Sequence, residues 1–346
     1  MVKDLREGGV EPGTPGSRNL EIQIRPWQTK DAGDLAGALN NKNVQNNLRD
    51  GIPYPYTKRD ASEYIRAMQN VSPESQYPFA ITLNNKAIGS IGVIRRENVH
   101  HLTAELGYYL AEEHWHHGIM TEAVRQICNF IFANTDIVRV YAEPFAYNHA
   151  SCRVLEKAGF QFEGRQRQNA VKNNLTLDMM LYSRLRSYPI HLLQAEEIAS
   201  AMALSWRVFL EFEAPGYSPE GIAEFKSYID PATILAKREN KELDLWGAFD
   251  NGAHGSTIVG LLAVRQPLHI ALLFVDKKHH GRGIARALLE TVLADDLVVG
   301  GQHTLTVNSS PYAVPIYQRL GFAPTDREKT VNGLCFVPMK RQVVSC

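Results

Sequence analysis

Apolar and polar positions alternate in two rhythms along this chain, and the switches between them mark its elements. Leu20-Glu21-Ile22-Gln23-Ile24 repeats every second residue, as a half-buried strand does. Thr29 to Leu39 follows helical spacing behind a capping threonine, and a second helix is predicted over Thr57 to Gln69. The stretch between them, Asn40 to Tyr56, is rich in Asn, Pro and Tyr and is predicted as a loop. Strands are expected over Phe79 to Leu83 and Ala87 to Arg95, joined at Asn84-Asn85, which suits a hairpin turn. Leu106 to Leu110, Val138 to Ala142 and Thr176 to Leu181 read as further strands. Met120, Ala123, Val124, Ile127, Cys128 and Ile131 form one face of an intervening helix.

From Ile190 a similar order begins again. An Ala-rich helix is predicted around Glu196 to Glu211, then a loop with Pro215, Gly216, Tyr217, Ser218 and Pro219, then a helix over Pro219 to Ile229. Strands Leu245 to Phe249 and Ile258 to Val264 flank a turn at Asp250 to Ser256. The apolar run Ile270 to Val275 precedes a helix carrying Ile284, Leu288, Val292 and Leu293 on one face. A strand at Leu305 to Ser310, a short helix containing Tyr317, and a final strand at Leu334 to Met339 complete the chain.

The segment Val275 to Leu289 carries the chemistry. Gly281 and Gly283 let the backbone turn sharply after the strand, so that successive N–H groups and the positive end of the helix dipole converge on one point. That arrangement holds a phosphate. His114-Trp115-His116-His117-Gly118-Ile119-Met120-Thr121-Glu122-Ala123 repeats the device earlier. Gly118 and Gly283, Asn148 and Asn308, and Phe160 and Phe322 are offset by 165, 160 and 162 residues, a domain-sized period. Two tandem copies of one fold are predicted: residues 1–19 as a flexible Gly- and Pro-bearing tail, 20–186 as the first domain and 187–346 as the second.

Strand, glycine turn, helix, strand ending in Asn, short helix with Tyr, then Leu-Gly-Phe resembles the GNAT superfamily of acyl-coenzyme A N-acetyltransferases. The resemblance implies an α/β (α+β) fold in each half: a mixed, mostly antiparallel twisted sheet flanked by helices, with a splayed central strand pair. It implies acetyl-CoA as acyl donor, seated on the turn. In the second copy the implied contacts are His280, Gly281, Arg282, Gly283, Ile284, Ala285 and Arg286, with Asn308 and the strand end Phe274-Val275. His280 takes the place usually held by Gln or Arg. In the first copy they are His116, His117, Gly118, Met120, Thr121 and Asn148, with Tyr109-Leu110 as the strand end. Met120 stands where Gly or Ala is usual.

The same resemblance makes Tyr317 the proton donor to the departing thiolate; the competing reading is a ring packed beside Phe322. The matching position in the first copy is Leu155, which has no proton to give. That copy instead resembles the branch containing ribosomal-protein N-terminal and spermidine acetyltransferases, through Ala104-Glu105-Leu106-Gly107-Tyr108, Thr121-Glu122-Ala123 and Asn148-His149-Ala150-Ser151. Ser151 is implied in a supporting role there. Glu105 is either a general base acting through water or a solvent-face strand glutamate. Asn46, Arg49, Tyr54 and Tyr56 are candidates to touch the acceptor. In the second copy Glu211, Glu213 and His269 are candidate bases without a choice among them.

Composition sets the outer limits. The 346 residues suit two domains, and 37 basic against 37 acidic side chains give zero formal charge. No long-range field recruits nucleic acid or an anionic membrane, and no apolar run nears the roughly 18 residues of a spanning helix. With no signal-peptide pattern, a cytoplasmic protein is expected, as a monomer or homodimer. Cys128, Cys152, Cys335 and Cys346 form no Cys-x-x-Cys pair, and the group His114, His116 and His117, beside His100 and His101, lacks an acidic or Cys partner at ligand spacing, so no metal is expected. The leading expectation is N-acetyl transfer to a primary amine of a small molecule or a peptide N-terminus. The alternative makes one half, rather the first, a non-catalytic acetyl-CoA-binding or regulatory part.

Overall fold

The computed structural model describes residues 21–252, 255–265, 268–294 and 303–343. The tail expected over residues 1–19 lies outside them, as do residues 253 and 254 of the expected 250–256 turn. The chain divides into two compact units, Met1–Leu185 and Arg186–Cys346.

The first unit is built on β1 (Ile22–Arg25), β2 (Gln76–Leu83), β3 (Lys86–Arg95), β4 (Thr103–Leu110), β5 (Arg139–Ala142), β6 (Gln161–Lys172) and β7 (Leu175–Leu185). They form one sheet in the order β1-β2-β3-β4-β5-β7-β6. Only β4 and β5 pair in parallel; the other neighbours are antiparallel. Its helices are α1 (Ala32–Leu39), α2 (Lys42–Gln45), α3 (Lys58–Gln69), α4 (Ile119–Asn134) and α5 (His149–Lys157). Strand alternation sends Ile81, Ile91, Val93 and Leu106 to one face, against Ala123, Val124, Ile127 and Ile131 of α4 and Leu155 of α5. Ala80 and Ala87 face the other way, onto Leu35 and Leu39 of α1 and Ala61 and Ile65 of α3. Thr57 and Asp60 start α3 as a reciprocal cap, each side chain accepting from the other's backbone N–H.

Two expectations change here. The predicted loop from Asn40 to Tyr56 contains α2, nucleated because the Asn41 side chain accepts from the N–H groups of Asn43 (2.8 Å) and Val44 (3.4 Å). The strand predicted at Thr176 to Leu181 is one arm of a long hairpin with β6, turning at Asn173-Asn174, both at positive φ. β6 is mostly exposed and bulged twice, which removes the alternation that marks a strand.

The second unit contains β8 (Ile190–Leu192), α6 (Ile198–Phe212), α7 (Pro219–Tyr228), α8 (Pro231–Glu239), β9 (Leu243–Gly252), β10 (Gly255–Arg265), β11 (His269–Val275), α9 (Ile284–Ala294), β12 (His303–Ser309), α10 (Val314–Arg319), β13 (Ala323–Pro324), β14 (Lys329–Val331) and β15 (Leu334–Val343). The sheet order is β13-β15-β12-β11-β10-β9-β8, with β14 paired to β15. Its parallel pair is β11 with β12. Leu245, Leu261 and Leu272 pack on α6 and its neighbours, while Trp246, Leu262, Ile270 and Val307 pack on α9 and α10. Helix α8 was not expected from the sequence; Asp230 caps it and Pro231 opens it.

A glycine opposite the strand end recurs in both sheets. Gly89 of β3 lies opposite Leu110, and Gly260 of β10 lies opposite Val275, the last residues of β4 and β11. A Cβ at Gly89 would run into the carbonyl oxygen of Tyr109, and one at Gly260 would stand 2.8 Å from Cγ2 of Ile284. Gly89→Val is therefore expected to cost about 2–3 kcal/mol through forced backbone displacement, checked as a lowered midpoint in chemical denaturation; an unchanged midpoint would refute the packing argument.

Candidate active site

Each unit opens at the same place. In the first, β4 pairs with β5 only at Thr103, Ala104 and Glu105, and its remaining residues to Leu110 run on without that neighbour. In the second, β11 pairs with β12 only at His269 and Ile270. Past these pinch points the strands part, and the helix that follows the glycine turn begins beside the gap. Gly118 (φ 78°) caps α4 and Gly283 (φ 77°) stands just before α9, both in the left-handed region where a side chain is strained. The turn superimposes residue for residue at an offset of 165, so His116 (φ 65°) occupies the left-handed position that Gly281 (φ 74°) fills in the other unit.

A ring nitrogen fixes each strand end. Trp115 Nε1 donates to the Leu110 carbonyl at 2.9 Å, and His280 Nε2 meets the Val275 carbonyl at 2.8 Å. A carbonyl only accepts, so this contact places the His280 proton on Nε2. His280 thus braces the strand rather than projecting freely. Arg282 is held by the Tyr188 hydroxyl at 3.0 Å, and Arg286 reaches the Arg319 carbonyl at 3.5 Å.

The gap in the first unit is a cavity of about 730 Å³. Of the sequence-derived residues, Glu105, Tyr109, Leu110, His116, Gly118, Met120, Thr121, Asn148 and Ser151 line it, together with Arg49 from the segment between α2 and α3; His117 does not and is exposed. Asn46 gives its carbonyl to the Tyr147 hydroxyl, Tyr54 is exposed beneath Lys42, and Tyr56 is core. Ser151 Oγ lies 2.7 Å from the Tyr108 hydroxyl, and burial holds that phenol well above its ordinary pKa, so it stays protonated. Glu105 is neither free nor on a solvent face: it pairs with Arg49, accepts from the Tyr141 hydroxyl at 3.2 Å and lies 3.6 Å from Arg96.

The second gap is arranged differently. Phe212, at the end of α6, lies 5.3 Å from the His280 ring and stacks on the Tyr312 ring at 5.3 Å, with Lys277 over its face at 5.8 Å. It bridges the turn after β11 to the loop after β12. Tyr317 is buried in the core, edge-on to Phe322 at 5.4 Å, at the position Leu155 takes in the first unit. Asn308 is exposed on β12 opposite Pro338, and the residue matching Asn148 is Ser310. Asn148 caps α5 by accepting from the Ser151 N–H, and Ser310 Oγ accepts from the Ala313 N–H in the turn that leads into α10. The expected Asn148–Asn308 match was two residues out of register.

Among the three candidate bases that the sequence offered in the second copy, geometry singles out one. Glu213 is half-buried, bonds the Ser310 side chain, and sits near the hydroxyls of Tyr217 and Tyr317. Burial pushes its carboxyl up to about 7, against the opposing pull of Ser310. His269, at the pinch point with Nδ1 2.9 Å from Thr306 Oγ1, is driven down to about 4 by burial and by Arg265, and is neutral at pH 7. Among the described residues, no group of three or more His, Cys, Asp or Glu side chains could hold a metal, and no helix is long and apolar enough to cross a membrane.

A mixed sheet whose central parallel strands part over a glycine turn defines an acetyltransferase architecture, present here twice. Residues 21–161 and 213–343 each match a family profile described as acetyltransferase (GNAT) domain. The chain belongs to the GNAT acetyltransferase family, as two such domains in tandem. "Probable N-acetyltransferase YjcK" of Bacillus subtilis (strain 168) is 29% identical over 163 residues, 45% of this chain and 90% of that protein. "Uncharacterized N-acetyltransferase p20" of Bacillus licheniformis is 28% identical over 138 residues, 38% of this chain and 76% of that protein. Of solved structures, a ribosomal L7/L12 alpha-N-protein acetyltransferase in complex with coenzyme A is 20% identical at TM-score 0.44, covering 47% of this chain and 93% of its own.

Glu213 also generates a stability prediction. A carboxyl raised from 4.5 to about 7 favours the fold fully below pH 4.5, and that contribution is lost as pH climbs through 7. Glu213→Gln is expected to stabilise the second unit by about 2–3 kcal/mol at pH 8 and by almost nothing at pH 4, below the unfolded carboxyl's value. Melting curves at the two pH values check this; an equal shift at both would show that the carboxyl is not destabilised by burial.

Proposed function

We propose that the chain transfers an acetyl group from acetyl-CoA to a primary amine of a small molecule or peptide N-terminus, and that the first unit performs the reaction. The observation carrying this reading is the cavity of about 730 Å³ that runs from the parting of β4 and β5 to the turn at Gly118. The donor's diphosphate would sit on the turn's backbone amides at the start of α4, and its thioester would lie along the edge of β4 near Tyr109 and Leu110. The acceptor would enter on the side of Arg49, Glu105 and Glu143, which share the cavity wall. A deprotonated amine attacks the thioester carbonyl; the carbon–sulfur bond breaks as the carbon–nitrogen bond forms. The amine proton passes to water or a wall carboxylate, and Ser151, backed by the protonated Tyr108, supplies a proton to the leaving thiolate.

A second reading assigns one unit a non-catalytic part. Phe212 favours the second unit for that part, in contrast to the first unit favoured from Leu155 and Met120 alone, because its ring contacts both His280 of the turn and Tyr312 of the loop after β12. If the second unit does react, Glu213 is the base and Tyr317 the acid that its geometry offers.

Titrating acetyl-CoA into the full chain is expected to fill one site tightly, and Gly118→Val, which strains the left-handed cap, should abolish it. Phe212→Ala should make a second site measurable. Tight binding that survives Gly118→Val would refute the assignment to the first unit. Ser151→Ala is expected to lower kcat by about 10²-fold with unchanged acetyl-CoA affinity, read by thiol release over an amine panel; a variant as fast as the parent removes Ser151 from the chemistry.

A further inference from the structure

One residue of the first unit's cavity has no task in acetyl transfer as described. Arg49 comes from the segment between α2 and α3, and its side chain is 65% exposed, whereas the carboxylates it meets are nearly closed to solvent, Glu105 at 14% and Glu143 at 18%. A single atom, Arg49 Nη2, serves both: it donates to Glu105 and stands 3.6 Å from Glu143 Oε2. Each carboxylate also has a partner that is anchored in the sheet. Glu105 has Tyr141 and Arg96, and Glu143 accepts from Gln166 Nε2 at 2.8 Å. Arg49 is the loosely held member of the group.

We propose that Arg49 determines acceptor specificity: its Nη2 takes the place of the acceptor's protonated primary amine between Glu105 and Glu143, and a cationic acceptor enters by displacing it. This rests on reading the cavity as the acyl-transfer site. Two carboxylates side by side with little water around them need a cation between them, because each alone is costly to leave uncompensated. A primary ammonium brings three N–H donors to that position and can satisfy both. A hydroxyl brings one donor and no charge, so it cannot replace the guanidinium. The arginine, largely in solvent, is held by an interaction weak enough to lose to a bound ligand. The arrangement selects amines over alcohols and keeps the carboxylate pair neutralised while the acceptor is away.

The test uses the full chain with n-butylamine, protonated at neutral pH, and n-butanol as its uncharged counterpart, both followed by saturation-transfer NMR. Arg49→Met is expected to tighten butylammonium binding about three- to fivefold, the value of one exposed ion pair, without changing butanol. Arg49→Lys should restore the parent affinity, and adding Glu143→Gln to Arg49→Met should remove the gain. Butylammonium binding that is unchanged or weaker in Arg49→Met, or butanol that gains equally, overturns the proposal. Acetyl-CoA titrated into the same proteins separates the two ideas. A parent that binds no acetyl-CoA fails the acyl-transfer reading, whereas normal acetyl-CoA affinity with unaltered amine binding fails the role of Arg49 alone.

Discussion

Each unit depends on keeping a strand edge in the middle of its sheet without a neighbour. Interior peptide groups ordinarily pair, and a buried one left alone costs about as much as a lost hydrogen bond. Separation of β4 from β5, and of β11 from β12, therefore has to be held against the tendency of the sheet to close. Three devices do this in both units. Glycine at Gly89 lets the end of β4 press close, and at Gly260 it makes room for Ile284 and Leu288 of the helix that follows the turn. A ring nitrogen, from Trp115 or His280, takes the last carbonyl of the strand. A left-handed residue then swings the chain into a helix whose first turn is buried: Ile119 in one case, Ile284 in the other.

The two units share this frame and fill it differently. The first keeps the gap as a cavity with polar groups facing inward: Ser151 on Tyr108 at its wall, and Glu105 and Glu143 around Arg49. The second stacks Phe212 on Tyr312 and holds the half-buried Glu213 against Ser310 and near the buried Tyr317. Duplication explains the common backbone, and the side chains show that the copies no longer present the same surface to a ligand.

Much of the frame was legible in the sequence because its signals are local. The glycine turns, the hairpin at Asn84-Asn85 and the apolar face of α4 each declare themselves within a dozen residues. What escaped was set by distant contacts. Strand β6 shows no alternation because most of it packs on nothing, and α2 is too short for a period to appear. Asn308 looked equivalent to Asn148 by residue type, but the i+3 backbone N–H bond that Asn148 accepts is matched in the second unit by Ser310, which accepts from Ala313. Glu213 could not be told from Glu211 by spacing. Its burial against Ser310 separates it from Glu211, which pairs in the open with Lys277. The glycines at Gly89 and Gly260 were visible all along, 171 residues apart, and their meaning depended on a strand register not yet known.

The ring of Phe212 between His280 and Tyr312 bears on time as well as space. For any ligand that must part these rings to bind, the apparent affinity is divided by the fraction of molecules in which they stand apart. Its arrival rate would level off at the frequency of ring opening however much ligand is supplied. A compound that finds the first unit's cavity of about 730 Å³ already open would not wait on such a side-chain flip.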